Sequence, residues 1–92
     1  MYGKTGGEMT VEERVKNVVS RQLKVTVEKI NEGSDFVRDL GAESIQSLEL
    51  VAAFEQEFDI MMDEEAALEV KTVGNAVAFI KNTMKEQGKA ID

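Results

Sequence analysis

Apolar residues recur at helical spacing in three separate stretches of this 92-residue chain. In the first stretch the apolar positions are Val11, Val15, Val18, Val19 and Leu23, and comparable runs follow over residues 44–58 and 73–85. Side chains three and four positions apart share one face of an α-helix, so each stretch predicts an amphipathic helix. Strict alternation, which would indicate a strand, is limited to residues 25–27. The spacing therefore predicts an all-α fold.

Capping residues and glycines indicate where these helices begin and end. Thr10 followed by Glu13 fits a capping box, Thr72 is placed to cap the last helix, and Gly88 marks its end. A short additional helix is indicated over residues 63–68. Residues 24–42 lose the helical period and predict a long loop that crosses the bundle, pinned by Val25, Val27, Ile30, Phe36 and Leu40.

The length and these patterns predict a single domain. We expect it to span residues 9–88, with three principal helices, a short third helix and a long loop after the first helix. Residues 1–8 are expected to be a flexible leader, and residues 89–92 a flexible tail.

The chain contains no cysteine and no histidine, which excludes most catalytic chemistry. A thiolate nucleophile and the usual general base are both missing, so we expect no enzyme activity. The main ligands of transition-metal sites are missing too, and we expect no dedicated metal site. Asp59, Asp63, Glu64 and Glu65 lack the ligand order of a calcium loop, so only weak, diffuse cation binding is expected there.

Negative charge is concentrated in the middle of the chain. Residues 35–70 contain eleven acidic residues and one basic residue, Arg38, whereas the whole chain has a net charge of −7. Such a segment repels nucleic acid and anionic membranes and attracts basic protein surfaces. The alternative is a solvated face without a partner. No apolar run approaches the roughly 20 residues that a bilayer requires, and we expect a cytoplasmic monomer.

The second helix separates into two faces when its residues are placed at 100° intervals. The expected core stripe consists of Leu48, Leu50, Val51, Phe54 and Phe58. The opposite face has an apolar centre of Ile45, Ala52 and Ala53, bordered by Glu43 and Glu49.

Ser44 stands at the start of this second helix, directly after the turn formed by residues 40–42. A serine in this position is ordinarily an N-cap, whose hydroxyl accepts a backbone hydrogen bond. The position also suits an anionic phosphodiester, because a helix N-terminus has free N–H groups and a partial positive charge. Helix physics alone leaves both interpretations open.

The sequence around Ser44 resembles that of acyl carrier proteins. The resemblance is carried by residues 39–45 (DLGAESI), 48–51 (LELV) and 54–60 (FEQEFDI), and it extends from residues 10–16 (TVEERVK) to Phe79 and Ile80. It implies a four-helix acyl-carrier bundle in which Ser44 bears a covalent phosphopantetheine. A separate phosphopantetheinyl transferase would attach this arm from coenzyme A, and its thiol would hold acyl groups as thioesters for fatty acid or polyketide synthesis.

The resemblance also implies two functional surfaces around the second helix. Basic patches of the transferase and of synthase enzymes are expected to dock on Glu43, Ile45, Glu49, Ala52, Glu55 and Gln56. An acyl pocket between the second and third helices is expected to be lined by Leu50, Phe54, Met62, Ala66, Leu68 and Ile80, residues that otherwise simply fill the core. A peptidyl or aminoacyl carrier and an unmodified acidic interaction module are the alternatives.

Three departures from the family pattern favour a specialised, secondary carrier. Glu43 and Ile45 replace the usual aspartate and leucine beside the serine. Gln46 and Gln56 stand where acids are common, and Asp63 stands where proline is frequent.

Overall fold

The first helix of the computed structural model, which describes residues 9–89, begins and ends on local signals. Helix α1 spans Val11–Leu23. The Glu13 N–H donates to Thr10 Oγ1 (3.1 Å) and the Thr10 N–H donates to Glu13 Oε1 (3.0 Å), so the expected capping box is confirmed. The helix ends at Lys24, which adopts a left-handed backbone conformation (φ 58°). Its predicted apolar face is buried along its whole length.

Helix α2 spans Ser44–Phe58 and buries Leu50, Phe54 and Phe58, as predicted. The core stripe is shifted from the expected one, however. Leu48 was expected inside but is 39% exposed, whereas Ala53, expected outside, packs against the core. The shift arises because α1 packs against the side of α2 that bears Ala53 and Glu57, and Glu57 pairs with Arg14 of α1 at 2.9 Å.

The last two helices match their predicted positions to within one residue. Helix α3 spans Glu64–Leu68, and Asp63, expected to be its first residue, is instead its N-cap. Helix α4 spans Val73–Glu86, one residue beyond the expected end, and Gly88 follows with a positive φ of 75°. Helix α1 packs against α2 and α4, and α2 packs against α3. The expected all-α bundle is confirmed.

The loop between α1 and α2 is held by backbone hydrogen bonds to the start of α4. The Gly74 N–H donates to the Glu32 carbonyl (2.9 Å) and the Val73 N–H donates to the Ser34 carbonyl (3.0 Å). The loop contains a 3₁₀ turn, Val27–Lys29. Ile30, Phe36 and Leu40 are buried as expected and Val25 is partly buried against the core, but Val27 is exposed. These bonds attach the middle of the loop, which leads into α2, to the start of α4.

The expected leader and residues 90–92 of the expected tail lie outside the described residues. Lys89, the first residue of that tail, donates its N–H to the Met84 carbonyl (2.8 Å) and pairs with Asp59. Within residues 9–89, none of the helices has the length and hydropathy needed to cross a membrane.

Candidate functional site

A side-chain-bonded turn sets the position at which α2 begins. Both the Val37 and the Arg38 N–H donate to Asp35 Oδ1 at 2.9 Å. The Ala42 N–H then donates to the Phe36 carbonyl at 2.8 Å, which folds the chain back over the turn. The residue before Ala42 is a glycine with φ 73°, a left-handed conformation that favours glycine. Helix α2 therefore starts beside the residues that open the turn.

Ser44 is the first residue of α2, and Glu43 is its N-cap. The Glu43 N–H donates to Gln46 Oε1 at 2.9 Å, so the cap lies one residue before the serine. The interpretation of Ser44 as an ordinary N-cap is therefore wrong. Ser44 is exposed, and its hydroxyl has no hydrogen-bond partner among residues 9–89.

The position of Ser44 fits a covalently attached phosphodiester. Its hydroxyl is accessible to a modifying enzyme and is not committed to capping. An anion on Ser44 Oγ would lie at the positive end of the 15-residue helix α2. Glu43 adds a negative charge beside it, so the helix N-terminus is only part of the local electrostatics.

Most of the residues expected to meet partners lie together on the outer side of α2. Glu43, Ile45, Glu49, Ala52 and Gln56 are all exposed, and Ile45 is 58% exposed. Leu48 lies at the edge of the same surface and was not expected there. We call this surface, formed by residues 43, 45, 48, 49, 52 and 56, the outer face.

Glu55, which was also expected at a partner surface, makes an internal contact. It is half-buried, and its Oε2 accepts the Met62 N–H at 2.9 Å. Met61, which precedes Met62, is held through both of its backbone groups. Its N–H donates to Gln87 Oε1 (3.0 Å) and its carbonyl accepts from Gln87 Nε2 (2.7 Å). Glu55 and Gln87 therefore fix the connection from α2 to α3.

A cavity of about 410 Å³ lies between α2, α3, the loop at residues 35–38 and the start of α4. Its apolar wall contains Phe36, Val37, Leu50, Val51, Phe54, Met62, Ala67, Leu68, Val70, Ala76 and Phe79. Four residues expected at an acyl pocket, Leu50, Phe54, Met62 and Leu68, are thus brought together. Ala66 and Ile80 lie outside this wall, and Ile80 is fully buried in the core.

The cavity wall also contains four polar residues that the sequence analysis does not identify: Asp35, Arg38, Ser47 and Lys71. Ser47 and Val51 follow Ser44 by three and seven positions, so all three share one side of α2. That spacing could have indicated that the cavity wall reaches to within one helical turn of Ser44. Hydrogen bonds from the Arg38 and Val37 N–H groups, and the charges of Arg38 and Lys71, hold the pKa of Asp35 below its ordinary value of 3.8.

Two of the four acids at which weak cation binding is expected have other partners. Asp59 pairs with Lys89 at 2.9 Å, and Asp63 Oδ1 accepts the Ala66 N–H at 3.3 Å. In the part of the chain that the structure describes, no three acidic side chains are grouped so that they could hold a metal ion.

The fold and the site define a small helical domain with an exposed serine at the start of its second helix, and comparison with known proteins identifies its family. Residues 13–80 match the family model described as "Phosphopantetheine attachment site". The chain is 48% identical over 71 residues to an acyl carrier protein of Sinorhizobium fredii and to acyl carrier protein AcpP of Rhizobium meliloti, covering 77% of this chain and 91% of each relative. It is 46% identical over 72 residues to an acyl carrier protein of Phenylobacterium zucineum, covering 78% of this chain and 91% of that protein. The chain belongs to the acyl carrier protein family.

Family membership establishes the general role of the chain. It is a carrier and not a catalyst, and the prosthetic group of the family is a covalently attached phosphopantetheine. Members of the family interact with synthases and transferases in general.

Proposed function

We propose that Ser44 carries the phosphopantetheine arm and that the loaded protein presents acyl thioesters to enzymes of fatty acid or polyketide synthesis. The observation that carries this proposal is the position of Ser44: exposed, first in α2, and with the capping role taken by Glu43. An arm attached there starts on the side of α2 that leads to Ser47 and the cavity. The arm contributes the thiol that this chain lacks.

We infer that the cavity receives the acyl chain. Eleven of its fifteen wall residues are apolar, which is the character expected of a site for a hydrocarbon guest. Met62 and Leu68 lie at the α3 side, where a flexible methionine adapts to guests of different shape. Ala66 and Ile80 lie outside this wall.

Intact mass tests the attachment residue directly. After incubation with coenzyme A and a promiscuous phosphopantetheinyl transferase, the wild type should gain the mass of one phosphopantetheine and Ser44→Ala should gain none. Ser47→Ala is the matched control, because it removes a hydroxyl from the same helix one turn further on; it should be loaded like the wild type. If the wild type gains no mass, or if Ser44→Ala gains it equally, the attachment proposal fails and an unmodified acidic interaction module becomes the better description.

We infer that the outer face receives basic patches of partner enzymes. It combines the exposed apolar residues Ile45 and Leu48 with the exposed acid Glu49, a combination that provides both contact area and electrostatic steering. Glu55 differs from these residues, because its carboxylate accepts the Met62 N–H.

Charge reversal on the outer face tests this docking surface. Glu49→Lys should slow association with the transferase several-fold at low salt and reduce the salt dependence of the association rate. Glu28→Lys is the control, because it makes the same charge change at an exposed residue of the 3₁₀ turn. Equal association rates for the two variants would contradict the proposed surface.

A specialised, secondary role in a cytoplasmic, monomeric carrier is the finer part of the proposal. It rests on the thinned acidity of the outer face, where Gln56 is exposed and uncharged. Gln46 is less informative, since its side chain caps α2. Mass spectrometry of the protein from its native host would identify the cargo, and an ordinary fatty acyl chain as the main species would count against specialisation.

A further inference from the structure

The charged residues of the cavity wall have the opposite balance to the acidic segment around them. Two basic residues, Arg38 and Lys71, and one acidic residue, Asp35, are among the residues that line the cavity, and both positive charges act on the Asp35 carboxylate. These three side chains leave one net positive charge at the wall, in a protein whose net charge is −7. Arg38 is the single basic residue among residues 35–70, and it lies at the cavity.

Hydrogen bonds hold the main chain in place at the two residues that bear the cations. The Arg38 N–H donates to Asp35 Oδ1 (2.9 Å). Phe36, which follows Asp35, donates its N–H to the Lys71 carbonyl (2.9 Å). The two chain segments are therefore joined at the cavity wall, and the cations are attached to them. Within residues 9–89 neither cationic side chain forms a salt bridge, and both residues are exposed.

The Asp35 carboxylate is hydrogen-bonded to the main chain and not to the side chains of these two cations. Its Oδ1 accepts two backbone N–H groups, from Val37 and Arg38, and these bonds fix the carboxylate within the turn. The side chains of Arg38 and Lys71 remain able to meet a second anion. Guanidinium and ammonium groups both bind carboxylates and phosphates through charge-assisted hydrogen bonds.

We propose that Arg38 and Lys71 form an anion-binding site at the mouth of the cavity, which receives a negatively charged group carried on the arm. The proposal rests on the proposed attachment at Ser44. Two groups have the required chemistry: the phosphodiester of the arm itself, or a free carboxylate on a dicarboxylic acyl cargo. In either case the wall combines an apolar cavity with a cationic rim, so a charged end of the guest is stabilised while its hydrocarbon portion is buried.

Three loaded forms of the full chain separate the two sources of negative charge. A promiscuous transferase loads the protein from coenzyme A, butyryl-coenzyme A or succinyl-coenzyme A, and intact mass verifies each product. The loaded-minus-unloaded difference in melting temperature reports on the phosphodiester. The succinyl-minus-butyryl difference reports on the cargo carboxylate, because the two acyl groups have the same number of carbons.

The Arg38→Gln, Lys71→Gln double variant removes both cations. At low salt, at least one of the two temperature differences should be more positive in the wild type than in the double variant, by about 1–8 °C. High salt should close this gap. Arg21→Gln is the matched control, because Arg21 is an exposed arginine in the last turn of α1 and outside the cavity wall; it should behave like the wild type.

Equal temperature differences in the wild type and the double variant would overturn the anion site. If the double variant does not fold, the NMR signal of the Arg38 Nε–H in the wild type decides: it should move on loading, and an unchanged signal in all three loaded forms would overturn the proposal. A failure to load Ser44 would instead overturn the proposed function, so the two failures are distinguished by mass.

Discussion

Replacing Glu55 tests whether this acid serves partner docking or the internal architecture of the carrier. Its Oε2 accepts the Met62 N–H at 2.9 Å across the connection from α2 to α3. Met62 lines the cavity, and α3, which follows it, contributes two further wall residues. Losing this bond should therefore loosen one wall of the cavity as well as the connection.

The size of the effect follows from the chemistry of the bond. Hydrogen bonds to charged groups contribute about 1.5–3 kcal/mol, and partial exposure of Glu55 places this one near the lower end. Glu55→Ala should thus lower the free energy of unfolding by about 1–2 kcal/mol. For a domain of this size the melting temperature should fall by about 5–15 °C. Glu55→Gln retains a neutral acceptor and should lose about half as much.

Thermal unfolding followed by circular dichroism measures these shifts, and hydrogen exchange of the Met62 amide locates them. Gln56→Ala is the matched control for stability, because Gln56 is the exposed neighbour on the same helix. The reasoning would be refuted if Glu55→Ala and Glu55→Gln melted like the wild type while both weakened transferase docking equally. That result would make Glu55 a partner residue, as the family resemblance implies.

Three further predictions concern the braces between helices and one cap. Arg14→Met removes hydrogen bonds of 2.9 Å and 2.7 Å to Glu57, so urea denaturation should show a loss of about 2–3 kcal/mol; no measurable loss would contradict the brace. A hydrogen bond from the backbone lowers the pKa of Glu12 below its ordinary value of 4.5, and the hydrogen bond from the Lys81 side chain lowers it further. Because the folded-state pKa is depressed, this stabilisation is present above pH 4.5 and is lost as the pH falls through the lowered value. The melting temperatures of the wild type and Glu12→Gln should therefore differ at neutral pH and converge in acid, and a gap that persists in acid would argue against the linkage. Thr72→Ala removes a side-chain cap of 3.2 Å from α4 and should cost about 1 kcal/mol by thermal unfolding, whereas Thr72→Ser should melt close to the wild type.

Helix boundaries are predictable where a capping side chain signals them within a few residues. Thr10 and Thr72 cap α1 and α4 with side-chain oxygens, and both caps are visible in the sequence. The arrangement of the long loop is not predictable in this way. Its attachment to α4 is made by backbone groups, such as the Gly74 N–H and the Glu32 carbonyl, and the sequence does not show which distant backbone groups pair.

The outer face of α2 is predictable only in part, because a helical wheel records the direction of a side chain and not its neighbours. Leu48 lies at the margin of the expected apolar stripe, and no packed helix covers it, so it is exposed. Ala53 lies at the opposite margin, which packs against the core. The identity of each margin depends on which helices pack beside α2, and that is tertiary information. The family resemblance locates Ser44, but the role of Glu43 as N-cap becomes clear only from the backbone at residues 43–46.

The carboxylates of the acidic run at residues 35–70 fall into two groups, those with internal partners and those without. Side chains bonded to other groups of the fold include those of Asp35, Asp39, Glu55, Glu57, Asp59 and Asp63. Among the described residues, Glu49, Glu64, Glu65 and Glu69 have no such bond. These four can reorient toward a basic partner without breaking an internal contact, whereas the bonded six contribute charge from fixed positions. Three of the four lie on α3 or at its C-cap, so we expect the electrostatic contact of a docked partner to extend from the outer face of α2 onto α3. A single charge reversal at Glu49 should therefore weaken docking without abolishing it.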